Sequence, residues 1–433
     1  MVLLAAGARL AGNWIMRLLV GIGMPTQPSR TSVVVSLPGR RRRLVLIAVT
    51  LACVALSIQK TTAIVLARSA PEIARKVDPG NALALATTAD QQILANPVRN
   101  SPAAGALALQ SLRRQGLNAY ALRILGYAAD TRGQSAKAAA LIDLSAKISR
   151  RDRGSQIWLI EQAVRANDIP AALHHYDIAL RTTDSTADLL FPILTGALDE
   201  PAVRTAFVPY ARARPFWMEA FLAYAIAQST HPERIAAMMN NAGALADPRN
   251  RELATRLIER LLVGGWNGPA QRIFLAVPGN TRSRLISPAL DARDRTGADG
   301  AIGWRMLTTP VAQASLDAGL EGAAPVLHIE ANGDGSGRMA EKALFLPPAS
   351  YQFTARTASG RPEAPGTIQW RLECITAGER REAWTRESGP GDVVVSFTIG
   401  ANCTQQMLSI DLIGQEGRQD ASVDVSGIAI RPD

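Results

Sequence analysis

Apolar positions along the chain fall into three regimes. From Leu44 to Ile58 (LVLIAVTLACVALSI) they run without a charge, Gln59 and Lys60 interrupt, and a milder stretch follows over Thr61 to Ala67. From Pro71 to about Val277 they recur at helical spacing in an Ala-, Leu- and Arg-rich background, with breaks near Gly133, Asn167, Glu200 and His231. That pattern predicts consecutive helix pairs. After about Gly279 the chain gains Gly, Ser and Thr, and alternation replaces the helical period. Strands are predicted at Val326–Glu330, Ala343–Leu346, Tyr351–Ala355, Thr367–Cys374, Val393–Ile399, Gln405–Leu412 and Val423–Ile430. The expected fold class is multidomain, α then β. A basic segment 1–43 precedes a single transmembrane helix 44–67, an α-helical repeat array 68–278 and an antiparallel β-sandwich 279–433.

The first regime sets the expected location. Leu44–Ile58 alone covers roughly 22 Å, short for a bilayer core, whereas Leu44–Ala67 covers about 36 Å. The span is therefore expected to continue through Lys60, whose side chain would snorkel to the far headgroups. Arg40, Arg41, Arg42 and Arg43 place the near side in the cytoplasm by the positive-inside bias. The expectation is a bacterial inner-membrane protein, single-pass, with its C-terminal part periplasmic. A cleaved signal peptide ending near Ala67-Arg68-Ser69 is the competing reading. Met1–Gly23 reads either as an interfacial helix or as sequence upstream of a start at Met24.

Charge changes the picture next. The net charge of +10 invites a nucleic-acid reading, but Arg9, Arg17, Arg30, Arg40 to Arg43, Lys60 and Arg68 all precede the first acidic residue, Glu72. Those nine cations leave about +1 for the rest, so no nucleic-acid partner is expected. Cysteine placement agrees with export, since Cys53 lies inside the apolar segment and only Cys374 and Cys403 follow. A Cys374–Cys403 disulfide is expected. Cys403 has the opposite parity to Leu408, Ile410 and Leu412, which puts it in a loop or at a bulge.

Within the helical regime, Leu122, Leu125, Gly126, Ala129, Gly133, Ala138, Ile142 and Ser145 align at a shift of 34 with Gln156, Leu159, Ile160, Ala163, Asn167, Ala172, Tyr176 and Ala179. A third copy reads Ile193, Leu194, Ala197, Pro201, Ala206, Tyr210, Ala213. These positions resemble the tetratricopeptide repeat, in which small residues let two helices approach and a large residue four positions on fills the gap, as in Ala138 with Ile142 and Ala172 with Tyr176. The aromatic that opens many such repeats is absent, Leu122 and Gln156 standing there. The resemblance implies a protein partner, or another subunit, on the helical array.

In the β regime, Ile368, Trp370, Leu372 and Cys374 form one alternating row, and Val393, Val395, Phe397 and Ile399 another. The order Gly303-Trp304, Leu344-x-Leu346-Pro347-Pro348-x-x-Tyr351-x-Phe353, a Trp-containing central strand and an alternating terminal strand resembles jelly-roll carbohydrate-binding modules. That likeness implies a glycan, or another subunit, as the partner of the β domain. Of Trp304, Trp370 and Trp384, Trp370 alternates with Ile368 and Leu372 and reads as core, while Trp384 sits among Arg380, Arg381, Glu382 and Arg386 and is the best candidate for an exposed glycan contact.

Chemistry is sparse. His174, His175, His231 and His328 show no zinc spacing, so no metal or cofactor is expected. Asn332–Gly337 opens like a calcium loop, but its twelfth position is Ala343 rather than Glu, and a hairpin turn is expected. No phosphate loop or nucleophile elbow occurs. Asp291 and Asp294 are paired carboxylates with no evident cleft between them. The expectation is a non-enzymatic, membrane-tethered periplasmic scaffold or adaptor in envelope or exopolysaccharide assembly and export. A periplasmic or surface glycan-binding protein, with the helices as spacer, is the alternative.

Overall fold

The computed structural model describes residues 39–182, 186–317, 324–332, 335–361, 364–376, 379–414 and 420–433. Most of the expected basic segment 1–43, with the alternative start at Met24, lies outside the described residues. The described residues fall into two compact units, which divide between Pro79 and Gly80.

In the first unit, α1 (Gly39–Ser69) is one continuous helix of 31 residues. Its stretch Arg43–Ser69, with mean hydropathy 2.0, is long and apolar enough to cross a membrane. Pro71 then starts a short helix, α2 (Pro71–Val77), which packs on α1. Proline suits this place because its missing N–H is one that no helix start can satisfy internally.

The second unit begins with α3 (Ala82–Ala95), α4 (Pro97–Arg114), α5 (Ala119–Asp130), α6 (Ser135–Ile148), α7 (Arg153–Arg165) and α8 (Ile169–Thr182). Turns fall near Gly133 and Asn167, both with positive φ, where the 34-residue shift had aligned them. Gly126 shows why the repeat wants a small residue there: a Cβ would collide with Ile142 of α6. A polar motif recurs at the same shift. Ser111 donates to the Ala82 carbonyl and Ser145 to the Ala119 carbonyl, while Asn118 and Asp152 cap α5 and α7 through Ala121 N–H and Ser155 N–H. Each cap satisfies a helix-start donor.

The array continues through α9 (Ala187–Ala197), α10 (Pro201–Ala213), α11 (Met218–Gln228), α12 (Pro232–Asn241), α13 (Arg251–Val263), α14 (Asn267–Ala276) and α15 (Arg282–Ile286). These helices pack around Phe191, Phe207, Trp217 and Phe221.

Among the described residues ten strands follow: β1 (Arg305–Met306), β2 (Ala312–Asp317), β3 (Val326–Asn332), β4 (Gly337–Leu344), β5 (Ala349–Ser359), β6 (Thr367–Thr376), β7 (Glu379–Ser388), β8 (Gly391–Ile399), β9 (Gln405–Ile413) and β10 (Asp420–Pro432). They form two five-stranded antiparallel sheets, ordered β1-β4-β9-β6-β7 and β2-β3-β10-β5-β8. The facing rows enclose Leu327, Ile329, Phe353, Ile368, Trp370, Leu408 and Ile410. This is a β-sandwich.

Several expectations change here. The strand expected at Ala343–Leu346 ends at Leu344 and begins at Gly337, and β1, β2 and β7 were not foreseen. β7 (ERREAWTRES) buries only Trp384, so it carries no alternation to read. β3 and β4 belong to different sheets, so Asn332–Gly337 is a crossover rather than a hairpin; Gly333 and Asp334 lie outside the described residues. The helical core also runs into the sandwich, because Ala343, Phe345 and Met407 join it and Phe345 N–H donates to the Leu285 carbonyl at 2.8 Å.

Candidate functional site

A groove of about 690 Å³ lies on the helical array. It is built by the first helix of three successive pairs, α3, α5 and α7, with Pro97 at the start of α4. Its floor is a buried guanidinium. Arg123 on α5 donates Nε–H to Asp152 (2.8 and 3.1 Å), and its two terminal nitrogens donate to Asp90 on α3 (2.7 and 3.1 Å). One planar fork thus ties three helices together, a geometry available to arginine and not to lysine.

The surroundings fix that fork. The Arg123 Cζ lies 5.5 Å from the Tyr120 ring centre and 5.4 Å from that of Tyr127, both within cation–π range. The Tyr127 hydroxyl donates to the Gly154 carbonyl at 2.8 Å. Gly154 itself has no side chain to spare, since a Cβ would stand 2.7 Å from the Arg123 Cδ. Asp152, almost fully buried, also accepts from Ser155 N–H and Ser155 Oγ. Burial opposes the Arg123 charge, but hydrogen bonds and charge from Asp90 and Asp152 outweigh it and hold the group above its ordinary value. Burial pushes Tyr127 up to about 12, against the pull of Arg123, so this hydroxyl is a hydrogen-bond donor and not a base at neutral pH.

The rim differs from the floor. Leu94 is 69% exposed, and Arg151, Arg153 and Glu161 stand at the surface, while Trp158 packs inward with its indole N–H on Asp130 (3.0 Å). The recess therefore offers apolar and aromatic surface, a rigid charged base and a rim of mixed sign. That combination suits a peptide segment. Among the described residues, no group of three or more His, Cys, Asp and Glu side chains is placed to hold a metal.

A second feature is the outward face of the sheet β1-β4-β9-β6-β7. Arg338 donates to Asp411 at 3.0 Å, Arg371 donates to Gln369 at 2.7 Å and lies 3.5 Å from Asp411, and Arg338 also pairs with Glu341. A shallow open depression of about 790 Å³ lies over Arg338, Gln369, Arg371 and Asp411. Among the described residues, no aromatic side chain lines it.

The residues singled out in the sequence fall elsewhere. Trp384, expected on the surface, is 9% exposed and packs on Phe353 and Phe397 at 5.1 and 5.9 Å. Its neighbours in the chain are exposed, but the pleat of β7 turns this one side chain into the sandwich core, which removes it as a stacking platform. Trp304 and Trp370 are fully buried, donating to the Pro288 carbonyl and Ser388 Oγ. Cys374 and Cys403 are joined by a disulfide, their Cα atoms 5.3 Å apart, with Cys403 two residues before β9.

Asp291 and Asp294 do not face each other across a cleft. They form a capping box and, with Asp299, surround Arg284. Lys342 of β4 is buried beside this cluster, where burial lowers it to about 8 despite the nearby carboxylates. Burial likewise raises Asp294, against the charge of Lys342. The cluster fastens the last helix to the sandwich. His328 pairs with Asp424 on the outer face of the other sheet at 2.7 Å.

Sequence reasoning missed Arg123, Asp90 and Asp152. A signal was present: Asn118 and Asp152 stand 34 apart, as do Ser111 and Ser145, and Arg123 interrupts the apolar run Ala121-Leu122-Arg123-Ile124.

No protein-family model matches the chain, and no curated protein matches it. Among solved structures, similarity extends to the enzymatically active domain of bacteriophage CBA120 tailspike protein 4 (6% identity, 30% of this chain, TM-score 0.24). The likeness spans 19% of the length of that solved domain. A CBM4 structure is similar over 32% of this chain and 84% of its own (10% identity, TM-score 0.22). So is the C-terminal family 22 carbohydrate binding module of Clostridium thermocellum Xyn10B, over 31% and 89% (15% identity, TM-score 0.23). The sandwich of this chain is established by its own strand pairing and not by these likenesses.

Proposed function

We propose that this protein is a non-catalytic, membrane-tethered adaptor of the bacterial periplasm that holds a segment of a protein partner in the Arg123 groove. The expected setting is envelope or exopolysaccharide assembly and export. One observation carries the reading: three helices converge on a buried, doubly paired guanidinium beneath an open recess with apolar and aromatic lining. A floor this rigid presents a recess that need not reorganise on binding, which lowers the entropic cost of association. Stacked helix pairs offer such surfaces along their length.

The test is photo-cross-linking in intact cells from a photoreactive residue at Leu94 or Ile157, with Val263, exposed on α13 outside the groove, as control. A discrete protein adduct from the two groove positions and none from Val263 is expected. Equal adduct patterns from all three positions, or none from the groove, would refute the assignment.

The polar sheet face supports a second reading, in which the sandwich binds a glycan. Arg338, Arg371, Gln369 and Asp411 present planar hydrogen-bonding groups beside an open depression on one face of the sheet. Loss of polymer retention in Arg371→Ala, with the adducts from Leu94 unchanged, would favour it.

A further inference from the structure

The packing of α2 on α1 bears on how much of α1 enters the membrane. Gln59 Nε2–H donates to the Val77 carbonyl at 2.6 Å, and Lys60 Nζ–H donates to Asp78 at 2.7 Å. Those contacts lie at the end of α2, while its start joins α1 directly, with Ala70 N–H on the Leu66 carbonyl. Helix α2 therefore runs back beside α1 from about Ser69 down to the level of Lys60. Ala63, Ala67 and Ala74 are buried, as small residues allow where two helices approach closely.

This fold-back carries charge with it. Glu72, Arg75, Lys76 and Asp78 all lie on or at the end of α2, beside the last three turns of α1. If the span reached Ala67, these four charges and the terminal carbonyls of α2 would enter the hydrocarbon with it, where each is strongly disfavoured. The uncharged stretch below Lys60 ends at Gln59, and its apolar part, Leu44–Ile58, covers about 22 Å against a hydrocarbon thickness of about 30 Å. Flanking arginines and local thinning can absorb such a mismatch.

We propose that the hydrocarbon-embedded part of α1 is Leu44–Ile58 alone, and that the α1–α2 hairpin sits in the phospholipid headgroup layer on the side away from Arg40–Arg43. This rests on the reading of α1 as a membrane anchor. Ile73 and Lys76, one helical turn apart and both exposed, form the outward side of α2, with Arg68 exposed at the end of α1. An isolated apolar side chain between cations suits the boundary of acyl chains and phosphates. Ile64 and Val65, exposed above Lys60, fall in the same layer.

The two boundaries predict different depths. The midpoint of Leu44–Ile58 is Leu51, whereas that of Leu44–Ala67 lies between Ala55 and Leu56, a shift of about 7 Å along the helix. The full chain carrying Cys53→Ala, with its Cys374–Cys403 disulfide left oxidised, is given a single free thiol by Leu51→Cys, Leu56→Cys, Ile64→Cys or Ile73→Cys and labelled with bimane. It is then placed in nanodiscs of phosphatidylethanolamine and phosphatidylglycerol doped with nitroxide at the headgroup or at the middle of the acyl chain. Mid-chain nitroxide is expected to quench position 51 more than position 56, and headgroup nitroxide to quench positions 64 and 73 most. Stronger mid-chain quenching at 56 than at 51, or headgroup quenching absent at 64 and 73, overturns the short span while leaving the anchor intact. Absence of quenching at all four positions overturns the anchor itself.

Discussion

Replacing Arg123 by leucine keeps a large side chain on α5 but leaves two carboxylates without their cation. Asp90 is partly solvated and can recover water, whereas Asp152 is 2% exposed and cannot. Breaking a buried pair by removing one partner typically costs about 3–5 kcal/mol. Asp152 keeps its bonds from Ser155, which places the expectation near the lower end, about 3 kcal/mol. If the whole second unit of roughly 350 residues melts together, that lowers Tm by about 4 °C; a larger drop would mean that the helical array melts apart from the sandwich. Urea unfolding followed by far-ultraviolet circular dichroism, which is dominated by the helical array, reads the change directly. Adding Asp152→Asn to Arg123→Leu removes the stranded charge and should recover a substantial part of the loss, a coupling that independent sites would not show. A loss below 1 kcal/mol in the single variant, or no recovery in the double, refutes the view of Arg123 as the ionic lock of the groove.

Three further outcomes are expected. Trp384→Ala should cost about 3–5 kcal/mol as a core truncation. Trp384→Phe should cost much less, because the indole N–H is buried without a hydrogen-bond partner among the described residues, and comparable stability of the two variants would return Trp384 to the surface. Reducing Cys374–Cys403 should destabilise the sandwich by roughly 3–4 kcal/mol, and thiol counting on the unfolded chain should find one free thiol before reduction and three after. Lys342 has a folded pKa of about 8 against 10.5 ordinarily, so between those values the unfolded chain binds more protons and stability rises with pH. The penalty, about 3 kcal/mol when fully present, applies below pH 8 and is relieved by pH 10.5. Relative to Lys342→Met, the wild type should gain stability over that window, and a parallel pH dependence of the two would contradict the buried site.

What the sequence determined by itself follows from local periodicity. An uncharged run after four arginines, a 34-residue repeat of small and large residues, and alternating rows such as Ile368-Trp370-Leu372 are each written in neighbouring positions, because helices and strands repeat every few residues. The helix pairs and the two-sheet sandwich were legible for that reason. The partner of each strand was not, and β7 escaped because one buried tryptophan leaves no period. Its neighbours made Trp384 look exposed, while the pleat and the bulge between Leu372 and Glu373 decide which way it points.

Only the tertiary structure decided the groove and the packing of α2 on α1. Arg123 meets Asp90 and Asp152 across gaps of 33 and 29 residues, and its charge is tolerable only because all three arrive together. Lys60 likewise pairs with Asp78, 18 positions on, a contact that no local period announces. Hydropathy averages a segment in isolation, whereas the cost of inserting it depends on what is packed against it.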